Sequence, residues 1–366
     1  MAPTPHLAGP RLVLSRRGEP MTPPVSGAGD LTAPWLSDAL ATKVTAVRTE
    51  PVGTGQVSDS LRLFLTYAGP TRLPATMVAK VPAADASSRA AARAIRTYEV
   101  EAHFYAQIAD RLDAGVPTCY FAAYAPEPDE YTVLLEDLAP ALPGDQLAGV
   151  TTEDAAAAID EMAALHAAGW DDPDLAALPW LNRHDADSAA FTASMVTGLY
   201  DGFKERYGAD LHPDVLTLIE DFLPAIGTYL ADREGPSTLF HGDFRADNLL
   251  FGGPRAAVLD WQTCAYAPGP ADLAYFLGSS LPTDARRTCE HTLVERYHKA
   301  LTTRGVTLTW DDCWNAYRRH AFHGIVMSIG ASMIVERTPR GDEMFRTMTT
   351  RHAHHARDLD SLKLTG

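Results

Sequence analysis

The chain has 366 residues, 46% of them hydrophobic and 21% charged, and its 47 acidic against 31 basic side chains leave a formal charge of −16. That length predicts two folding units or one large two-lobed one. The acidic balance excludes the basic footprint through which proteins hold a polyanion, so the expected partners include no nucleic acid and no membrane surface.

In chain order, residues 1–29 are proline-rich, carry Arg11, Arg16 and Arg17 and lack a sustained apolar run. They predict a disordered lead rather than a signal peptide, with Met21 as an alternative start. Residues 43–52 read as a strand that ends at Gly53-Thr54-Gly55. Residues 57–67 follow as a second strand, Leu61, Leu63 and Leu65 alternating with Arg62, Phe64 and Thr66. After the turn at 68–70, residues 76–81 form a third strand that carries Lys80. Ile95, Tyr98, Tyr105, Ile108 and Leu112 recur at helical spacing and predict one helix over 87–113. Two further strands, 118–125 and 131–135, flank a hairpin turn at 126–130.

Beyond Leu138 the chain turns to Ala-rich helices. Thr152 is a candidate N-cap, with Ala155, Ile159, Met162 and His166 on one stripe; further helices are expected over 188–203, 213–232, 271–277, 286–304, 311–335 and 344–362. The clear β signal in this half is a hairpin of 249–251 and 256–259, punctuated by Gly252, Gly253 and Pro254. The fold class expected is therefore α+β and bilobal. A small antiparallel-sheet lobe with one helix spans 30–138, and a larger, mainly helical lobe spans 139–366, with a hinge near 136–139. Cys119, Cys264, Cys289 and Cys313 stand far apart with no CxxC pair, which excludes a zinc ribbon or disulfide scaffold and fits a reducing cytoplasm. No run of 18 uninterrupted apolar residues exists; 322–335 is broken by His323, Gly324, Ser328 and Gly330 and reads as a buried helix.

The chemistry concentrates in His241-Gly242-Asp243-Phe244-Arg245-Ala246-Asp247-Asn248, the hairpin, and Asp260-Trp261-Gln262. A hairpin returns the chain to its origin, so Asn248 and Asp260 should stand side by side as two hard-oxygen ligands suited to Mg²⁺. Asp243, at the other end of the loop, is placed to accept the proton of an attacking hydroxyl, and Arg245 to face a transferred phosphoryl group. Kinases assemble phosphoryl transfer in this way.

These residues resemble the aminoglycoside phosphotransferase/choline kinase superfamily, in which HGDxxxxN stands where protein kinases have HRDxxxxN. The Asp-Trp-Gln ending is most similar to the ecdysteroid-kinase-like and CHK-type branch. The resemblance implies a protein-kinase-like fold, Asp243 as catalytic base, and Asn248 and Asp260 as magnesium ligands. It implies Lys80 as the lysine that holds the α/β-phosphates of ATP, with a helix carboxylate as its partner. Glu101, in Glu101-Ala102-His103-Phe104-Tyr105, is favoured over Glu99, which points to another helix face. Gly53, Gly55 and Ser58 lie where a loop could cover phosphates, although Ser58 replaces a third glycine and an ordinary hairpin turn is the alternative. Glu136 and Leu138 fall at the hinge, whose backbone would meet the adenine edge, while the side chains there could be solvated.

The resulting expectation is an ATP- and Mg²⁺-dependent O-phosphotransferase acting on a small-molecule hydroxyl: an antibiotic, sterol-like, hydroxyacyl or amino-alcohol acceptor. A nucleotide-binding pseudokinase and a protein kinase are the alternatives; the latter lacks an A-P-E segment and room for an activation loop after Asp260. Trp170, Trp180, Tyr266, Tyr275 and the region from Trp310 to Val335 are candidates to line the acceptor site or to belong to the core. Asp272 reads either as a brace of the catalytic loop or as an acid at a helix N-terminus. His166 reads as a buried structural histidine, and His352, His354 and His355 as solvated helix positions rather than metal ligands.

Overall fold

The period-two leucines of residues 57–67 place one face of a sheet against a core, and the first part of the fold grows from that face. The computed structural model describes residues 22–53, 57–183, 186–231 and 235–365. The chain divides into two compact units, one running through Arg111 and from Pro117 to Leu138, the other made of Leu112–Val116 and the chain from Ala139 onward.

In the first unit, helix α1 (Ala33–Ala39) precedes strands β1 (Val44–Pro51), β2 (Ser58–Tyr67) and β3 (Thr76–Pro82). Helices α2 (Ala86–Ala94) and α3 (Thr97–Gln107) and strands β4 (Cys119–Ala125) and β5 (Glu130–Glu136) follow. The five strands form one antiparallel sheet in the order β1-β2-β3-β5-β4. Leu61, Leu63 and Leu65 pack with Met77, Ala79 and Val81 of β3 and with Leu31 and Leu36. Alternation along β3 then turns Lys80 to the opposite face.

Two expectations are corrected here. The single helix over 87–113 is two helices, because Arg96 takes a left-handed conformation (φ 60°) that interrupts the i→i−4 ladder, and Ile95 is left half exposed at the break. The proline-rich lead is also shorter than 1–29. Val25 is buried with the sheet core, and its N–H donates to Thr132 Oγ1 at 2.9 Å; residues 1–21 lie outside the described residues.

The second unit runs through β6 (Leu142–Pro143), α4 (Thr152–Ala168), α5 (Pro173–Ala176), β7 (Asn182–Arg183), α6 (Ala186–Tyr207), α7 (Pro213–Phe222), α8 (Ile226–Ala231) and β8 (Thr238–Phe240). It continues through β9 (Leu249–Phe251), β10 (Ala257–Val258), β11 (Ala265–Ala267), α9 (Pro270–Ser280), α10 (Thr283–Thr303), α11 (Trp310–Arg319), α12 (His323–Ile334) and α13 (Pro339–Asp358). Two small sheets, β10-β9-β6 and β7-β11-β8, surround the loop at 241–248. Strands β6, β7, β8 and β11 were not expected, because two or three residues are too few to display a period. The helix expected over 213–232 breaks at Leu223–Ala225, which contains Pro224, and the one over 311–335 breaks at His320–Phe322. Every residue of α9 is buried, which makes it the central helix of this unit. Among the described residues no helix is long and apolar enough to cross a membrane.

A buried charge cluster pins three helices together. Arg286 of α10, 1% exposed, donates to Glu290 at 2.6 Å and to Asp358 of α13; Tyr317 of α11 donates to Glu290 at 2.7 Å. Burial opposes the Glu290 charge, but His355, Arg286 and Tyr317 bring its pKa down from 4.5 to about 2. A carboxylate held below its unfolded value contributes stability that is present above about pH 4.5 and lost as the pH falls towards 2. Glu290→Gln should therefore cost about 3 kcal/mol at neutral pH, as for a broken buried pair. It should also flatten the fall of the thermal midpoint between pH 4.5 and 2 relative to the parent chain. An unchanged slope in that window would count against this account.

Candidate active site

The segment 241–248 is built around one buried carboxylate. Asp272, in the first turn of α9 and fully buried, accepts the N–H of His241 on Oδ2 (2.7 Å) and of Gly242 on Oδ1 (3.0 Å). Its Oδ2 also lies 3.3 Å from His166 Nε2, whose Nδ1 meets the Tyr297 hydroxyl at 2.7 Å. Asp272 thus fills both of the roles left open, helix acid and loop brace, and His166 is the buried partner expected. Gly242 turns the chain at φ 85°, and a Cβ there would stand 2.7 Å from the Thr263 carbonyl oxygen. No other residue fits that turn without displacing backbone. His241 Nδ1 accepts the Asp243 N–H (3.2 Å), which assigns the proton to Nε2, donating to the Leu259 carbonyl at 2.9 Å. His241 is thus a neutral clip between the loop and the hairpin.

Asp243 emerges from this brace half-buried, with three donors on its carboxylate. Arg245 Nε reaches both oxygens at 3.1 Å, Asn248 Nδ2 reaches Oδ2 at 2.8 Å, and the Tyr275 hydroxyl donates to Oδ1 at 2.9 Å. Arg245 was expected to face a phosphoryl group. In the structure its Nε is engaged by Asp243 and its Nη1 by Asp247 at 2.9 Å. Burial works against the Arg245 charge, yet the carboxylates of Asp243 and Asp247 hold its pKa above the ordinary arginine value. Asp247 in turn accepts from Arg340 at 3.0 Å on both oxygens and from the Gln146 N–H. Burial disfavours its charge, but the Arg340 bonds and the Arg245 charge keep its pKa below the usual carboxylate value.

The hairpin brings the next two residues together. β9 pairs with β10 as Leu250 with Ala257 and Leu249 with Val258, and the Leu259 N–H donates to the Asn248 carbonyl at 2.9 Å. The register therefore carries Asp260 to the end of the hairpin where Asn248 stands. Asp260 adopts a left-handed conformation (φ 67°), a strained placement for a residue with a Cβ, and Gln262 Nε2 donates to its Oδ2 at 3.1 Å. Asn248 spends its amide nitrogen on the backbone carbonyl and carboxylate of Asp243, both at 2.8 Å. That leaves its oxygen for another partner. One amide oxygen and one carboxylate are a donor set that fits a magnesium ion.

In the first unit, Lys80 and Glu101, both buried, meet at 2.5 Å, and the Tyr131 hydroxyl donates to the other Glu101 oxygen at 3.4 Å. Glu99 pairs instead with the exposed Arg96. Gly53 ends the β1 side of its loop at φ 77°, and Ser58, 5% exposed, opens β2. Gly55 lies outside the described residues. The Val57 carbonyl beside Ser58 is held by the Tyr98 hydroxyl at 2.7 Å. The hinge side chains are partly buried: Glu136 accepts from the N–H and hydroxyl of Thr118 at an exposed position, and Asp137 takes a two-pronged pair from Arg62. Leu138 follows, half-buried.

Sequence reasoning missed Asp247 and Arg340, and read Tyr275 as acceptor lining or core, without its role as the Asp243 partner; it is buried, as the core alternative required. Two signals were available. Asp243, Arg245 and Asp247 alternate in charge at period two, and Tyr275 lies three residues after Asp272, hence on the same helix face. Trp180 is buried, as the core alternative for it required. The C-terminal histidines overturn their expectation, because His352 and His355 are fully buried.

Asp272→Asn would turn one loop N–H towards an amide nitrogen. With hydrogen bonds to a charged acceptor worth about 1.5–3 kcal/mol each, the urea-measured stability should fall by about 2–3 kcal/mol. A loss under about 0.5 kcal/mol would show that Asp272 does not carry the loop.

A family model described as the ecdysteroid kinase-like family matches residues 57–308. The chain is 34% identical over 105 residues to acyl-CoA dehydrogenase family member 10 of Mus musculus, a match covering 25% of this chain and 10% of that protein. It is 36% identical over 80 residues to acyl-CoA dehydrogenase family member 11 of Gallus gallus, covering 20% of this chain and 10% of that one. The chain thus spans about a tenth of the length of the curated relatives it matches. A candidate aminoglycoside phosphotransferase from Ralstonia eutropha superposes with a TM-score of 0.54 at 17% identity, over 89% of this chain and 97% of the other. Choline kinase from Cryptosporidium parvum gives 0.55 at 10% identity, over 91% and 93%. Identities this low are a likeness of fold, and the fold is the two-lobed protein-kinase-like one. With the family match covering more than half of its length and the segment from His241 to Gln262 inside it, the chain belongs to the ecdysteroid kinase-like family.

Proposed function

We propose that the chain is an ATP-dependent, magnesium-requiring O-phosphotransferase acting on a hydroxyl of a small molecule. The observation that carries this reading is the Asp243 carboxylate, half-buried and oriented by three donors, with Asn248 beside it and Asp260 on the returning strand. Asp243 would accept the acceptor's hydroxyl proton as the oxygen attacks the γ-phosphorus and the bond from that phosphorus to the β–γ bridging oxygen breaks, releasing ADP. Arg245, Asn248 and Tyr275 hold that carboxylate in place, so the proton acceptor needs no reorganisation when substrate arrives. Lys80, oriented by Glu101, would hold the α/β-phosphates, and the backbone around Gly53 and Ser58 would cover them. The backbone at Glu136–Leu138 would meet the adenine edge. Asn248 and Asp260 would hold the magnesium ion, which when bound neutralises charge on the β- and γ-phosphates.

The test is incubation of the purified protein with ATP, Mg²⁺ and a panel of hydroxylated compounds: aminoglycosides, sterols, hydroxyacyl compounds and amino alcohols. Asp243→Asn should lower transfer by roughly 10²–10⁴-fold, the range of general-base contributions, while ATP affinity stays within about twofold. Unaltered transfer would remove Asp243 from the mechanism. ATP binding with no transfer to any compound would favour a pseudokinase, and labelling of protein substrates alone a protein kinase.

A further inference from the structure

The Tyr275 ring is gripped from behind by groups that the reading above does not use. His352 of α13, fully buried, stacks on it with ring centres 5.4 Å apart and planes 10° apart. His323 of α12 meets the same ring edge-on at 5.5 Å. The stack exists because two helices carry glycine at the contact. A Cβ on Gly324 would lie 2.0 Å from the His352 ring, and one on Gly278 would lie 2.5 Å from its Nδ1. Neither ring nitrogen of His352 has a hydrogen-bond partner among the described residues. Burial, with His355 and His323 adding to it, pushes its pKa well below the ordinary histidine value, so the ring is a neutral, flat spacer.

Tyr275 itself is 2% exposed, and its hydroxyl donates to Asp243 Oδ1. Burial and the Asp243 charge push the phenol pKa well above its usual value, so it remains a donor. Arg245 and Asn248 belong to the same loop as Asp243, and Arg245 is tied in turn to α13 through Met344 Sδ at 3.7 Å. Tyr275 comes from α9 and fixes it relative to the core of the unit.

We propose that Tyr275 is a positioning residue for phosphoryl transfer. Its hydroxyl fixes the Asp243 carboxylate by donating to Oδ1, and His352, seated against Gly278 and Gly324, holds the phenol in line. The role rests on the kinase reading, and the experiment separates the two. Tyr275→Phe keeps the ring stack and removes one hydroxyl. With Mg²⁺, ATP and water or an accepted alcohol, kcat should fall roughly tenfold to a hundredfold, the cost of a misplaced reacting group. KM for ATP should stay within about twofold, since a contact that acts only in the chemical step leaves ground-state binding alone. The unfolding midpoint should hold within a few degrees. Unchanged kcat, or a loss matched by a raised KM or by unfolding, overturns the role. Gly324→Ala, which forces the His352 ring aside, should lower kcat in the same direction; full activity there removes His352 from the proposal. A parent protein that turns over no ATP sinks the kinase reading, whereas a parent that turns over beside an unchanged Tyr275→Phe sinks the positioning role alone.

Discussion

A carboxylate buried without a cation against it costs several kcal/mol unless fixed donors replace its water. Asp272 meets that condition through two loop N–H groups and His166, which ties the loop and α4 to α9. Because the compensation exists in one geometry, the loop at 241–243 and helix α9 behave as one body. The glycine at 242 and the neutral His241 clip follow from this, since the loop must present two successive N–H groups to one side chain while its other end is tied to Leu259.

The first unit uses its buried pair differently. Lys80 and Glu101 sit in the low-dielectric interior between sheet and helix, where Coulomb attraction roughly repays desolvation and little net stability remains. What the pair provides is placement: the ammonium is held on the face of β3 opposite the leucine core, and the carboxylate is held by Tyr131. Tyr98, stacked on Tyr131 at 4.3 Å, ties the same aromatic layer to the Val57 carbonyl at the end of the glycine loop. Lysine, carboxylate and loop end are thus coupled through two rings.

The features legible in the sequence are those whose signal is local. β2 showed its period because one face is core, and the loop and hairpin from His241 to Asp260 could be paired because a four-residue turn fixes what lies opposite. The Lys80–Glu101 contact followed from the family resemblance, whose E-x-x-F-Y pattern Glu101 matches, with the helix face setting Glu99 apart. Long-range packing was not legible. Arg96 breaks a helix whose apolar spacing runs straight through it, because a single left-handed residue leaves no mark in that spacing. The segment around His352 reads as polar, yet His352 and His355, three apart, share the face that meets α9, while Arg351 donates to the carbonyls of Gln146 and Ser279. Gly278 and Gly324, isolated inside helices, were the only marks of that close approach.

Helix α9 is therefore more than a core helix. Asp272 and Tyr275, three residues apart on one face, address the backbone and the side chain of the same short loop: one fixes where the chain runs, the other where the Asp243 carboxylate points. Fixing both from a single rigid element makes their errors common, so a small shift of α9 carries Asp243 and Asn248 together. Their mutual geometry, on which a hydroxyl and a metal would both depend, is then set within the loop by the 2.8 Å contact between them and is insulated from motion elsewhere in the unit.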